Sequence, residues 1–386
     1  MKNRDFLILA GVLIVVMLGF GMIIPIFPYY IKNLGAGGKE LGLLVGTSAL
    51  LEFTFGPLWG KVSDRRGRKP VLMIGLVGYA VSTLLFGLAT QLWMLFAARA
   101  LSGVLSSATI TAAMAYVSDI TSDEERSEGL GKIGAAMALG LMLGPGLGGW
   151  LAEPNLSRPF FFAAGLSVVA LLLVAILLPE TISGEIQQAE KTKSLPLKEA
   201  LLGPAGILLL LITLFSFALT NFESIFGLYA IEKYGFNPNQ VGTVLMVVAV
   251  ASTAGKALLT GPVTRRWGEG ITIKASLLAG SAGFLVMLLA WDFPSVLATT
   301  ALFILSKTLL RPATLGLISK NLQGDQGAVM GISNSFMSLG RIIGPIWAGF
   351  AFELNPIFPY LSGSIFMLLG FGISFLAVRD FFSTKT

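Results

Sequence analysis

Apolar residues along this chain come in long unbroken runs separated by short polar clusters, not in strict alternation. The runs fall at about 6–31, 41–61, 71–90, 93–118, 129–151, 159–179, 205–230, 240–260, 273–291, 295–318, 328–351 and 357–378. Each is close to the ~20 residues an α-helix needs to cross the hydrocarbon of a bilayer. Backbone groups in hydrocarbon must be satisfied within the segment, which selects helices. Strands of a barrel would be shorter and would alternate polar with apolar. The pattern predicts an all-α polytopic membrane protein of twelve transmembrane helices. The first run follows a short charged start, Met1–Asp5, and is too long for a signal peptide, with no small-residue cleavage site after it. It is expected to be a retained helix.

A repeat organises these helices. Gly140-Leu-Met-Leu-Gly-Pro-Gly-Leu-Gly-Gly149 returns 200 residues later as Gly340-Arg-Ile-Ile-Gly-Pro-Ile-Trp-Ala-Gly349, and Glu153 and Pro159 return as Glu353 and Pro359. Two pseudo-symmetric six-helix bundles are expected, 1–180 and 205–386, joined by a cytoplasmic linker, 181–204. The polar stretch Pro179–Ala200, with Lys191, Lys193 and Lys198, is the one long connection and lies where the repeat puts the boundary. Internal duplication in a polytopic protein points to a transporter.

Composition narrows the chemistry. Hydrophobic residues make up 54% and charged residues 12% of 386, too little charge to cover a soluble fold of this size. There is no cysteine and no histidine, which excludes disulfides, thiolate metal sites and every form of imidazole catalysis. Clustered carboxylates are missing from the helices, and no phosphate-binding Gly-Lys-Ser/Thr segment exists, so neither an enzyme nor an ATP-driven pump is expected, and no metal or cofactor. The net charge of +6 follows topology. With the N-terminus inside, eighteen lysines and arginines fall on the inner side and four (Lys32, Lys39, Arg158, Lys233) on the outer. That bias puts both termini in the cytoplasm. The basic balance then serves lipid headgroups and not nucleic acid. No helical face demands a second copy, so a monomer in the cytoplasmic membrane is expected.

Several motifs have a physical reading of their own. In Gly60-Lys-Val-Ser-Asp64-Arg65-Arg66-Gly67-Arg68-Lys69, Gly60 and Gly67 permit tight turning, and Asp64 sits among five basic residues. Asp64 either accepts from helix-end amides or a neighbouring arginine, as a latch, or belongs to a basic loop that only sets topology. The counterpart Gly261-Pro-Val-Thr264-Arg265-Arg266-Trp-Gly268 has Thr264 in place of the acid. Gly140, Gly144, Gly146, Gly148 and Gly149 allow close helix approach, and Pro145 removes a backbone donor. Pro25 and Pro28 either kink the first helix and shape a cavity or are tolerated near its end.

These motifs resemble those of the major facilitator superfamily, in its twelve-helix drug/proton antiporter family, and are most like bacterial multidrug exporters of the NorA/Bmr type. Gly60–Lys69 looks like the loop signature between the second and third helices. Leu18-Gly-Phe-Gly21 with Pro25-Ile-Phe-Pro28 is similar to the first-helix motif, Arg99 with Gly103 to the fourth-helix motif, and Gly140–Gly149 to the fifth-helix antiporter motif. The resemblance implies two bundles around a central cavity and alternating access. It also implies that the fifth-helix interface containing Gly144, Pro145, Gly148 and Gly149 seals the cavity and favours exchange over leak.

Charges within the spans carry the expected mechanism: Glu52 and Glu223 against Arg99, Lys256, Lys307, Arg311 and Arg341. Each costs about 2.5–3.5 kcal/mol at a span's centre on insertion scales, so each needs a partner, a wet cavity or a task. Lys256 and Arg311 lie toward the cytoplasmic ends and are expected to snorkel. Glu223, in Asn221-Phe222-Glu223-Ser-Ile-Phe226, resembles the seventh-helix acid that such exporters use for protons and cationic substrates. The chain departs from them on the tenth helix, where Lys307 stands in place of an aspartate. Glu223 and Lys307 either pair across the cavity, to be separated by protonation or an arriving substrate charge, or form a static ion pair. Glu52 either gates against Arg341 or is itself the proton site.

The aromatics Phe27, Tyr29, Tyr116, Phe222 and Phe226 suit a lipophilic, cationic drug. The excess of intramembrane bases favours an anionic or zwitterionic metabolite or glycolipid instead. The expected function is proton-coupled export of small amphiphilic compounds, with an exporter or flippase of such an anionic or zwitterionic solute as the alternative. The partners are the small-molecule substrate, protons and membrane lipids.

Overall fold

The computed structural model describes residues 3–122, 124–153, 155–181, 204–321 and 326–383. The linker around Lys191, Lys193 and Lys198 lies outside them. The helices are α1 Asn3–Ile23, α2 Phe27–Asn33, α3 Gly38–Arg66, α4 Arg68–Leu88, α5 Leu92–Ile120, α6 Arg126–Ala152 and α7 Arg158–Leu177. They continue with α8 Pro204–Tyr234, α9 Pro238–Leu288, α10 Phe293–Lys307, α11 Leu310–Asn321, α12 Gln326–Leu354 and α13 Phe358–Ser383. No strand occurs among the described residues. Ten helical stretches among them are long and apolar enough to cross a membrane, and α9, at 51 residues, is long enough to do so twice. The all-α, twelve-helix architecture expected from the apolar runs is the one found.

Two expected spans carry interruptions, two others join into one long helix, and local chemistry explains each case. The run at 6–31 is two helices, because Pro25 interrupts it between Ile23 and Phe27, and Pro28 then starts α2 where its missing N–H leaves nothing unsatisfied. The run at 295–318 breaks between Lys307 and Leu310. Pro312 has no N–H to offer the Thr308 carbonyl four residues back, and its ring crowds that carbonyl. In α9 the axis turns at Gly268, whose φ of 73° is left-handed. Other prolines, Pro57, Pro145, Pro262 and Pro345, stay inside continuous helices.

The chain divides into two compact units, Met1–Gln187 with Ala230–Ala249, and Gln188–Tyr229 with Val250–Thr386. The core of the first unit joins α1, α4, α5, α6 and α7 through Leu9, Leu13, Leu72, Ala112, Tyr116, Ile133 and Val174, all fully buried. Water offers no driving force between helices in lipid, so close backbone contact has to set their spacing. The glycines do this. A methyl on Gly148 would overlap the Met22 carbonyl, and one on Gly144 would lie 2.6 Å from the Leu18 carbonyl. Pro145 leaves the Leu141 carbonyl without its helical donor, and that carbonyl faces Gly21.

The opposite face of α6 meets the first turns of α9, where Gly149 lies against Pro238 and Gly242 against the Pro145 carbonyl. Asn239 Nδ2 donates to Glu153 Oε1 at 3.2 Å beside this contact. In the second unit the repeat does the same work as the α1–α6 contact. A methyl on Gly340 would lie 2.5 Å from the Thr213 carbonyl, and one on Gly344 2.7 Å from the Phe217 carbonyl.

These contacts predict a graded response to substitution. Gly148→Val is expected to destabilise the protein by about 1–3 kcal/mol or more, since a backbone carbonyl cannot yield as a side chain does. Gly165→Val, at a position with nothing within 4 Å of the added carbon, should stay within about 0.5 kcal/mol of the parent. Unfolding midpoints in detergent micelles compare the two, and equal shifts would refute the role given to α6.

Candidate functional site

The α3–α4 junction turns at Gly67, with φ at 101°. A side chain there would also collide with the carboxylate of Glu180, which folds back from the end of α7. Glu180 accepts from the Arg68 amide at 2.9 Å and the Lys69 amide at 3.1 Å. A carboxylate thus neutralises the orphan donors and the positive end of the α4 dipole. Arg68 Nε donates to Asp119 Oδ2 at 2.8 Å, and its Nη1 pairs with Asp64. Thr181 Oγ1 donates to the same Asp119 oxygen at 2.8 Å. Of the readings open for Asp64, the contact present is the one with a neighbouring arginine, Arg68. Asp119 and Glu180 are the additional members, and their positions 51 and 112 residues from Arg68 left no local spacing to reveal them. Arg65 is exposed, and Gly60 has only the Thr111 methyl near it, 3.6 Å from an added carbon. The counterpart turn in α9 reverses the sign: Gly268 is followed by Glu269, close to Gly316.

A second group in the first unit is built on α5. Gly103 lets α5 approach α3 so closely that an added carbon would lie 3.1 Å from the Ser48 carbonyl. That approach brings Arg99 within electrostatic reach of Glu52 and Tyr79. The guanidinium carbon sits 4.9 Å from the centroid of Phe27, which is itself edge-on to Phe86 at 5.1 Å. Arg99 Nε and the Tyr79 hydroxyl are buried with no hydrogen-bond partner. Glu52 accepts from Ser48 Oγ at 3.1 Å. Tyr29 donates its hydroxyl to the Phe236 carbonyl at 2.7 Å. Tyr116 is fully buried in the unit's core, with its hydroxyl given to the Pro179 carbonyl at 3.0 Å, and is a packing residue there.

The second unit holds the remaining charges. Lys307 ends α10 at the Pro312 break, so its charge meets the negative end of that helix. It is 3% exposed, and its Nζ has no hydrogen-bond partner. Two rings cover it, Phe303 at 4.3 Å and Phe222 at 5.5 Å from the ammonium. Cation–π contact returns ~0.5–2 kcal/mol, while a buried ammonium costs several kcal/mol to desolvate. The rings alone do not offset that cost, so a carboxylate is needed.

Glu223 supplies it. This residue is within electrostatic reach of Lys307, Arg341 and Lys256. Protein atoms crowd Glu223 at longer range, yet its own side chain is open to solvent, as are those of Lys256, Arg311 and Arg341. Lys256 is within electrostatic reach of Arg311 and Glu223, and Arg311 within reach of Arg341. Asn221 is fully buried and donates to the Pro359 carbonyl at 2.9 Å and to Ser362 at 3.2 Å, while its Oδ1 is unpartnered. Phe222 and Phe226 are buried and packed on each other at 5.3 Å. No cluster of potential metal ligands occurs among the described residues.

The profile of the Major Facilitator Superfamily matches residues 9–345 and 208–384. The chain is 32% identical over 379 residues to multidrug resistance protein 2 of Bacillus subtilis (strain 168), covering 97% of this chain and 95% of that one. It is 26% identical over 377 residues to the quinolone resistance protein NorA of Staphylococcus aureus (strain COL), covering 96% and 95%. Its fold is similar to that of a bacterial homologue of the human lysosomal transporter Spinster, solved inward-facing and occupied. That TM-score is 0.81, over 98% of this chain and 97% of that one, at 14% identity, so the likeness is one of fold.

The latch geometry ranks its two aspartates. The Asp64 side chain is 56% exposed and that of Asp119 28%, so solvent screens the first pair more. Asp119→Asn is expected to destabilise more than Asp64→Asn. Combined with Arg68→Gln it should be non-additive by about 0.5–3 kcal/mol. A double-mutant cycle on unfolding midpoints measures this, and strict additivity would remove Asp119 from the latch.

Proposed function

The chain belongs to the Major Facilitator Superfamily, and from that membership we propose that it is a proton-coupled exporter of small amphiphilic compounds. It works by alternating access in the cytoplasmic membrane, with both termini inside. Its family and its structural neighbours are those of transporters and not of enzymes. Full-length similarity to a multidrug resistance protein supports the substrate range.

The observation that carries the reading is Lys307. It is a buried ammonium without a hydrogen-bond partner, held at a break in a spanning helix and in reach of an accessible carboxylate. Broken helices at mid-membrane are where transporters of several folds place their coupling sites. A group kept at a net cost in stability is better explained by a task than by packing.

Glu223 receives the proton in this reading. Ionised, it is the counter-charge that makes buried Lys307 tolerable. Protonated, it withdraws its negative charge from Lys307, Arg341 and Lys256, and the local balance then favours a rearrangement or the entry of another negative group. Coupling therefore needs no further cofactor. Arg68, Asp64, Asp119 and Glu180 stabilise one state of the cytoplasmic loop, and Gly144, Pro145, Gly148 and Gly149 form the dry contact that limits leak. Glu52 beside Arg99 is the second carboxylate to weigh as a proton carrier.

The test uses purified protein in proteoliposomes under an imposed pH gradient, following proton flux as lipophilic compounds are added. A compound-dependent proton movement is expected, lost in Glu223→Gln. Loss in Glu52→Gln with retention in Glu223→Gln would move the carrier to the first unit. Wild-type flux in both variants would refute the coupling scheme.

A further inference from the structure

The second unit carries more positive charge inside its membrane spans than its own carboxylate balances. Lys256 on α9, Lys307 on α10, Arg311 on α11 and Arg341 on α12 form a connected electrostatic group with Glu223 on α8. Four cations thus share one acid among the described residues of this cluster.

Their arrangement is graded by depth. On the proposed orientation, Lys256 and Arg311 each lie 18 residues from the outer start of their span, about 27 Å at 1.5 Å per residue. Lys307 and Arg341 lie about 20 Å from the outer ends by the same count. A solute entering from the cytoplasm would meet Lys256 and Arg311 first, and Lys307 and Arg341 at mid-membrane. Three of the four side chains are exposed, and the fourth, Lys307, is buried within electrostatic reach of the exposed Glu223.

The aromatic rings at this place are already committed. Phe222 and Phe303 cover the Lys307 ammonium, and Phe226 and Phe284 pack on those two. Their π faces are therefore turned to a cation of the protein's own, and a cationic guest would find like charge in their place.

We infer that the second unit binds the anionic head, a carboxylate, sulfonate or phosphate, of an amphiphile, with Lys307 as the buried counter-charge and Lys256, Arg311 and Arg341 as the approach. The anion takes the role of Glu223 toward Lys307 when Glu223 is protonated. This deepens the exporter reading and rests on it for the direction of movement alone. The charge preference stands on the residues. A soluble organic anion and an anionic lipid present the same head chemistry, and the experiment separates them.

Three probes that share one fluorophore test the charge class: dansylglycine, its neutral methylamide, and a dansyl derivative ending in trimethylammonium. Their affinities are measured on the full chain in nanodiscs of zwitterionic lipid. The carboxylate is expected to bind at least tenfold more tightly than the amide, and the quaternary amine most weakly. Lys307→Gln should reduce the carboxylate's advantage to below threefold, and Lys307→Arg should keep most of it. Arg311→Gln and Lys256→Gln, at accessible positions, provide the same reading where the buried variant fails to fold. Equal affinity for the three probes, tighter binding of the amine, or no binding of any probe overturns the inference.

A proteoliposome arm keeps the two proposals apart. Preferred binding of the carboxylate without movement under a pH gradient supports this site and sinks the exporter reading. Preferred binding and transport of the amine does the reverse. Competition between dansylglycine and added phosphatidylglycerol identifies a lipid as the occupant, whereas its absence identifies a soluble anion. Both results support an anionic head.

Discussion

Backbone-to-backbone contact between glycine-bearing helices is the constraint on which the other features depend. In lipid, apolar side chains gain nothing by meeting one another instead of acyl chains, so helix positions are set by how closely backbones fit. Gly144 and Gly148 set α6 on α1, and Gly340 and Gly344 set α12 on α8. The second contact has a direct chemical result. Gly340 fixes α12 against Thr213 and Phe217, and the next residue on α12 is Arg341. Six residues after Phe217 on α8 comes Glu223, and the register of the glycines brings the two charges within reach. A packing motif and a charged site are consequences of one fit.

The spans were legible in the sequence because a long unbroken apolar run is a local signal. The helix breaks were not. Pro25 falls between two helices and the helix before Pro312 ends at Lys307, while Pro57, Pro145, Pro262 and Pro345 run through theirs. The ring and the missing N–H are the same in all six, so residue type alone does not say which proline breaks its helix. Asp119 and Glu180 were hidden for another reason: hydrogen bonds across 51 and 112 residues leave no spacing to read. Tyr116 shows the limit for aromatics. A helix that is apolar on every side has no amphipathic stripe to say which ring faces the core.

The two units share a scaffold and differ in their chemistry. Gly67 and Gly268 are left-handed at equivalent turns, but Arg68 follows one and Glu269 the other. The first unit keeps Arg99 under the Phe27 ring, with Tyr79 and Glu52 beside it. The second unit puts Lys307 at a helix break under Phe303 and Phe222. Duplication preserved what backbone packing requires and left the polar positions free to diverge. Where a fold is duplicated, the departures from symmetry are therefore the places to look for its task.

The lysine at position 307 also bears on energetics. The inside-negative potential of a bacterial membrane does work on every charge that crosses it, about 2.3 kcal/mol per elementary charge per 100 mV. An inward proton exchanged for an outward cation moves no net charge, and voltage then contributes nothing. An inward proton exchanged for an outward monoanion moves two charges in the favoured direction, roughly 4.6 kcal/mol per 100 mV on the same scale. On the proposed exchange of a proton for an anionic cargo, transport would draw on the membrane potential as well as the proton gradient, and would continue when internal and external pH are equal.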